Sequence, residues 1–85
     1  MNREDIREAV FEQLRGELPL ADHHLEESDP LISLPNADSV HLLTVAAQLE
    51  RKFAVEFNDQ LLFGAKAVGD LVDLVEQALA EAEAR

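Results

Sequence analysis

Few side chains in this sequence are suited to chemistry, and they fall in two places. The first is Asp38-Ser39, followed two residues later by His41. A Ser just inside the start of a helix has an exposed hydroxyl. That hydroxyl lies near unpaired backbone N–H groups and the positive end of the helix dipole. The second place is Asp22-His23-His24, built from residue types that ligate metals. Adjacent histidines point in divergent directions, so this cluster reads as solvated loop and no metal is expected. His41 reads as a surface histidine on a helix rather than a proton relay. The acidic run Glu26-Glu27-Ser28-Asp29 reads as solvated loop as well. With no cysteine, disulfides and thiolate metal sites are not available. Taken alone, Ser39 has a plain structural explanation, because it can share N-capping with Asp38.

The elements that position Ser39 follow from the spacing of apolar residues. Residues 3–16 read as an amphipathic helix in which Ile6, Val10, Leu14 and Leu18 recur every four residues, with Phe11 widening the stripe. Asn2 is its expected N-cap, Glu4 and Asp5 suit the positive end of the dipole, and Gly16 and Pro19 end it. Residues 17–37 form a long connection with Pro19, Pro30 and Pro35. Structureless loops beyond about 15 residues are uncommon in compact domains. Leu25, Leu31, Ile32 and Leu34 are therefore expected to pin this one across the helices.

A second helix is expected over residues 39 to about 52, capped by Asp38. It carries two apolar faces. Leu42, Val45, Ala46, Leu49 and Phe53 form the core side, and Val40, Leu43 and Ala47 form a second stripe at i, i+3 and i+7. That second stripe is the best candidate for a partner surface, with Phe57 and Leu62 expected to contribute to it. Asn58-Asp59 can cap a short turn over residues 60–63 closed by Gly64. A last helix is expected over residues 67–82, with Val68, Leu71, Val72, Val75 and Leu79 on one face. Strand signals are confined to Val55-Glu56-Phe57. The expected fold is all-α: a small bundle of three main helices plus a short one, with a long loop between helices 1 and 2, forming a single domain over residues 1–85.

Size and charge exclude several functions. A chain of 85 residues buries only about 60–65% of its unfolded surface, too little to pack a core and also enclose a deep active site. An autonomous enzyme is not expected. Eighteen acids against seven bases give a formal charge of −11. This argues against nucleic acid, which is bound through Lys and Arg, and against anionic membrane surfaces. The charge either keeps the protein soluble or steers it to partners with basic patches. The N-terminus lacks the apolar region of a secretory signal, and no segment approaches the roughly 18 apolar residues that span a bilayer. A soluble, cytoplasmic monomer is the expectation.

Around Ser39, the segment Asn36-Ala37-Asp38-Ser39-Val40-His41-Leu42-Leu43 resembles the acyl carrier protein family, whose attachment site reads Asp-Ser-Leu at the start of the second helix. The likeness continues downstream. Leu49-Glu50-Arg51-Lys52-Phe53 is similar to the family's Leu-Glu-Glu-Glu-Phe, and Val55-Glu56-Phe57-Asn58-Asp59 to its Thr-Glu-Ile-Pro-Asp. Val68 falls where the family's last helix begins with Thr-Val. The resemblance runs without a gap from about residue 31 to residue 80.

It implies that a phosphopantetheinyl transferase attaches 4′-phosphopantetheine from coenzyme A to Ser39, and that the thiol of this arm carries acyl groups as thioesters. By the same resemblance, Asp38 contacts the transferase or its metal. The implied partners are that transferase and acyl-loading, condensing and acyltransferase enzymes, with the chain a shuttle and not a catalyst.

Four departures from the family pattern stand out. Asn36 replaces a Gly two residues before the Asp, and Asn tolerates the left-handed bend. Pro35 replaces a common Leu. Lys66-Ala67 replaces Thr-Thr, which removes an N-cap and is expected to loosen the start of the last helix. The second helix, acidic in fatty-acid carriers, here holds Glu50 against Arg51 and Lys52, formally +1. That charge points to a specialised pathway, polyketide-type or aminoacyl-loading. The alternatives are a peptidyl or aminoacyl carrier of a nonribosomal-type pathway, and an unmodified acidic helical adaptor docking through the Val40, Leu43 and Ala47 stripe.

Overall fold

The structure is a computed structural model, and it describes residues 2–20 and 24–83. Four α-helices follow in order: α1 (Arg3–Glu17), α2 (Ser39–Phe53), the short α3 (Asp59–Phe63) and α4 (Val68–Glu83). A 3₁₀ turn, Leu31–Ser33, interrupts the long connection between α1 and α2. No strand forms among the described residues. Val55-Glu56-Phe57 is an irregular linker, and the ladder-type pairing among the described residues is an isolated bridge between Pro30 and Ala67.

The helices start where capping side chains place them. Asn2 Oδ1 accepts from the Asp5 N–H at 2.9 Å, and Asn58 Oδ1 accepts from Gln60 at 2.8 Å and Leu61 at 3.3 Å. At the far end of α2, Ala54 takes the left-handed conformation (φ 55) and its N–H closes on the Glu50 carbonyl. Asn36 is also left-handed (φ 58), a conformation that Asn tolerates better than most residues.

The core lies between α1, α2 and α4. Val10, Leu14, Val45, Leu49, Val68, Val72 and Val75 are fully buried, and no polar side chain is buried among the described residues. The long connection contributes Leu18, Leu20, Leu25, Leu31 and Leu34 to this core. Ile32 corrects the expected set of anchors, for it is 89% exposed. The reason is the 3₁₀ turn: with three residues per turn, Leu31 and Leu34 share the inner side and Ile32 faces out.

The start of α4 also corrects an expectation, because it is not loose. Asp70 Oδ2 accepts from the N–H groups of Lys66 (2.8 Å) and Ala67 (3.0 Å), the side chain at the third helical position reaching back as in a capping box. The Val68 and Gly69 N–H groups donate to the loop carbonyls of Asp29 (2.9 Å) and Glu27 (2.8 Å). Gly69 permits this approach, since a Cβ there would sit 3.1 Å from Glu27 backbone and side-chain atoms. Arg3 completes the clasp from α1, pairing with Glu27 of the loop and with Asp73 (2.8 Å) and Glu76 of α4.

Candidate functional site

Ser39 is the first residue of α2, and its position depends on the residues before it. The left-handed Asn36 turns the chain, the Asp38 N–H donates to the Asn36 carbonyl at 2.9 Å, and Asp38 then caps the helix. Asp38 Oδ1 accepts both the His41 backbone N–H (2.9 Å) and the His41 imidazole through Nδ1 (2.8 Å). Nδ1 carries the proton here, because a carboxylate only accepts. The backbone N–H of His41, and then its side chain, hold the Asp38 carboxyl below the ordinary carboxylate range.

Capping is thus performed by Asp38. The Ser39 hydroxyl is exposed and makes no hydrogen bond to any described residue. Capping therefore does not account for this Ser. His41, the imidazole closest to Ser39 in sequence, is bonded through Nδ1 to Asp38, and no hydrogen bond joins it to the Ser39 hydroxyl.

Beside Ser39 lies an apolar hollow of about 140 Å³, lined by Leu31, Leu42, Leu43, Leu62, Phe63, Ala65 and Leu71. It is bounded by the 3₁₀ turn, α2, α3 and α4, so three separate helices and the loop converge on one Ser.

The residues expected on a partner surface divide into two groups. Val40, Leu43 and Ala47 are exposed along the outer side of α2. Leu62 is half-buried and lines the hollow with Ser39, whereas Phe57 is half-buried against the core and lines a different depression, toward α4. Phe63, absent from the expected surface, is 72% exposed and borders the same hollow. Periodicity could not find it, because a five-residue helix has no apolar stripe to read. Of the candidate metal cluster, Asp22 and His23 lie outside the described residues, and His24 is exposed with Nε2 3.4 Å from Glu26. No group of three or more metal-ligating side chains converges among the described residues.

Residues 8–75 match the family model described as a phosphopantetheine attachment site. Over 79 residues the chain is 30% identical to the acyl carrier protein of Coprothermobacter proteolyticus, covering 93% of this chain and 96% of that one. The chain belongs to the acyl carrier protein family. Its fold agrees with the solution structure of hexanoyl acyl carrier protein from the actinorhodin polyketide synthase of Streptomyces coelicolor. That likeness has a TM-score of 0.69 and 27% identity, and covers 96% of this chain and 94% of the other.

The prosthetic group of this carrier family is 4′-phosphopantetheine, which supplies a thiol that holds acyl groups as thioesters. Members work with synthase and transferase enzymes. The residues present fit such a group. An unbonded hydroxyl stands at a helix N-terminus, where backbone N–H groups and the dipole favour a phosphodiester, and an apolar hollow adjoins it. No helix among the described residues is long and apolar enough to cross a membrane.

Proposed function

We propose that Ser39 is the attachment point and that residues 1–85 act as one carrier domain, shuttling acyl intermediates between the enzymes of a specialised, polyketide-type pathway without catalysing a step. The observation that carries the attachment is the division of labour at the start of α2: Asp38 caps the helix, while the Ser39 hydroxyl stays exposed and unbonded. In the transferase reaction Ser39 Oγ forms a bond to the phosphorus that bears pantetheine in coenzyme A. The bond from that phosphorus to 3′,5′-ADP breaks, and the hydroxyl proton leaves to a base on the transferase. Asp38, adjacent to Ser39 and with Oδ1 occupied by His41, keeps Oδ2 for a contact with the transferase.

Two features support the specialised pathway. The stretch from Ser39 to Phe53 is formally +1, unlike the acidic second helix of fatty-acid carriers. The structural likeness is to a carrier of a polyketide synthase. On this reading the chain is cytoplasmic and monomeric, and its loading, condensing and acyltransferase partners are dedicated ones. Efficient turnover by housekeeping fatty-acid enzymes at physiological salt would rule the pathway out.

The attachment is tested by intact mass after incubation with coenzyme A and a promiscuous phosphopantetheinyl transferase. Wild type gains one phosphopantetheine and Ser39→Ala gains none. Because the chain has no cysteine, a new thiol reports the arm independently. Failure of wild type to gain mass with several transferases would refute the attachment and leave an unmodified adaptor.

A further inference from the structure

Asp38 is held twice by the same residue. Its Oδ1 accepts the His41 backbone N–H at 2.9 Å, which is all that capping α2 requires, and it also accepts the imidazole Nδ1–H at 2.8 Å. The second bond runs from the third helical position back to the N-cap, the path that a Glu or Gln takes in a capping box. Here it ends on the side chain of the cap and not on its backbone, so it satisfies no orphan N–H of the helix. Its effect is to order a carboxylate that is 62% exposed and would otherwise keep its freedom about the side-chain torsions.

That carboxylate adjoins Ser39. The backbone N–H of His41, and then its imidazole, keep it ionised at neutral pH. Coenzyme A must bring a diphosphate to Ser39 Oγ, and an anion beside the hydroxyl repels it unless a cation of the transferase lies between them. A carboxylate that meets such a cation also fixes where it sits. The orientation of Asp38 then bears on how well phosphorus and Oγ are aligned.

We propose that His41 is a positioning residue for modification of Ser39: through Nδ1 it holds the Asp38 carboxylate in the orientation that the transferase meets. This rests on Ser39 being the attachment point and on Asp38 contacting the transferase. His41 itself neither takes the Ser39 proton nor touches the reacting atoms.

The test is the steady-state modification of the intact chain, with saturating coenzyme A and a promiscuous phosphopantetheinyl transferase, for wild type, His41→Ala and His41→Asn. The Ala variant keeps the backbone N–H of the cap and should melt close to wild type. Its kcat is expected to fall about tenfold while KM changes less than about twofold, because alignment is lost and the binding surface is kept. Asn carries a side-chain N–H at the position of Nδ1, so it should bring kcat back to within about threefold of wild type. Asp38→Asn, which still caps the helix, separates positioning from direct contact. In that background His41→Ala should have little further effect, since residues that act through one another are not additive. Nitrogen NMR of the imidazole at about pH 8, where an ordinary His is neutral, should show the Nδ1–H tautomer. A dominant Nε2–H tautomer, an unchanged kcat in His41→Ala, no recovery in His41→Asn, or an undiminished loss in the Asp38→Asn background would each overturn the positioning role while wild type still gains its arm. No gain of mass by wild type would instead bring down the attachment itself.

Discussion

Residues 38–66 carry four acids and three bases, while the other 56 residues carry fourteen acids and four bases. The contrast extends beyond charge. In α1, the long connection and α4, polar groups are engaged with one another. Arg3 joins three carboxylates, Asp70 caps its own helix, and loop carbonyls receive the first N–H groups of α4. At the α2 and α3 end, the Ser39 hydroxyl is unbonded and Val40 and Phe63 face solvent. An 85-residue chain has little core to spare, and it carries most of its acids in one region while another keeps apolar side chains exposed. Helix α2 belongs to both, its inner side buried and its outer side bare.

The sharpest way to test that division is to change the inner side of α2 alone. Leu49 is fully buried, so Leu49→Ala should cost about 2–5 kcal/mol in urea or thermal unfolding. Below its melting temperature, KM for the transferase should hold at the wild-type value. A KM shift from so remote a side chain would mean that scaffold and docking face are not separable.

A smaller effect is expected at the start of α4. Asp70→Ala removes the acceptor of two N–H groups and should cost about 0.5–2 kcal/mol near neutral pH. The N–H groups of Lys66 and then Ala67 hold the Asp70 carboxyl below its ordinary range. Its stabilisation is therefore fully present above the unfolded carboxylate pKa of about 3.9, and is lost as pH falls through the depressed folded value. Melting curves of wild type and variant should accordingly converge in acid below that range. A gap that persists there would assign the loss to packing instead.

The smallest effect has the opposite sign. Ala54 sits at φ 55, where a Cβ is strained. Ala54→Gly should stabilise by about 0.5–1 kcal/mol, measured as a raised urea midpoint, with modification kinetics unchanged.

The sequence announced the helices and Ser39 because they depend on local signals. Apolar period, the caps Asn2, Asp38 and Asn58, and the motif around Ser39 are each readable within a few residues. What escaped depends on tertiary partners or on segments too short to have a period. Lys66-Ala67 suggested a frayed α4, and the remedy lay in Asp70 three residues on and in carbonyls some forty residues earlier. Ile32 looked like an anchor because Leu31 and Leu34 are anchors, and the tight turn that separates them is set by docking. Phe63 lies in a five-residue helix whose faces only the fold assigns.

The seam between the long connection and α4 bears on how carriers of this kind can be recombined. Residues 27 and 29 furnish the carbonyls that finish the first turn of α4, and Gly69 leaves the gap in which Glu27 rests. Loop and helix start are therefore one unit of exchange, although about forty residues separate them along the chain. A chimera that imports another carrier's loop but keeps this α4 must seat foreign backbone carbonyls on the Val68 and Gly69 amides and a foreign side chain against Gly69. Importing the loop together with the first turn of its own last helix would transfer the joint whole.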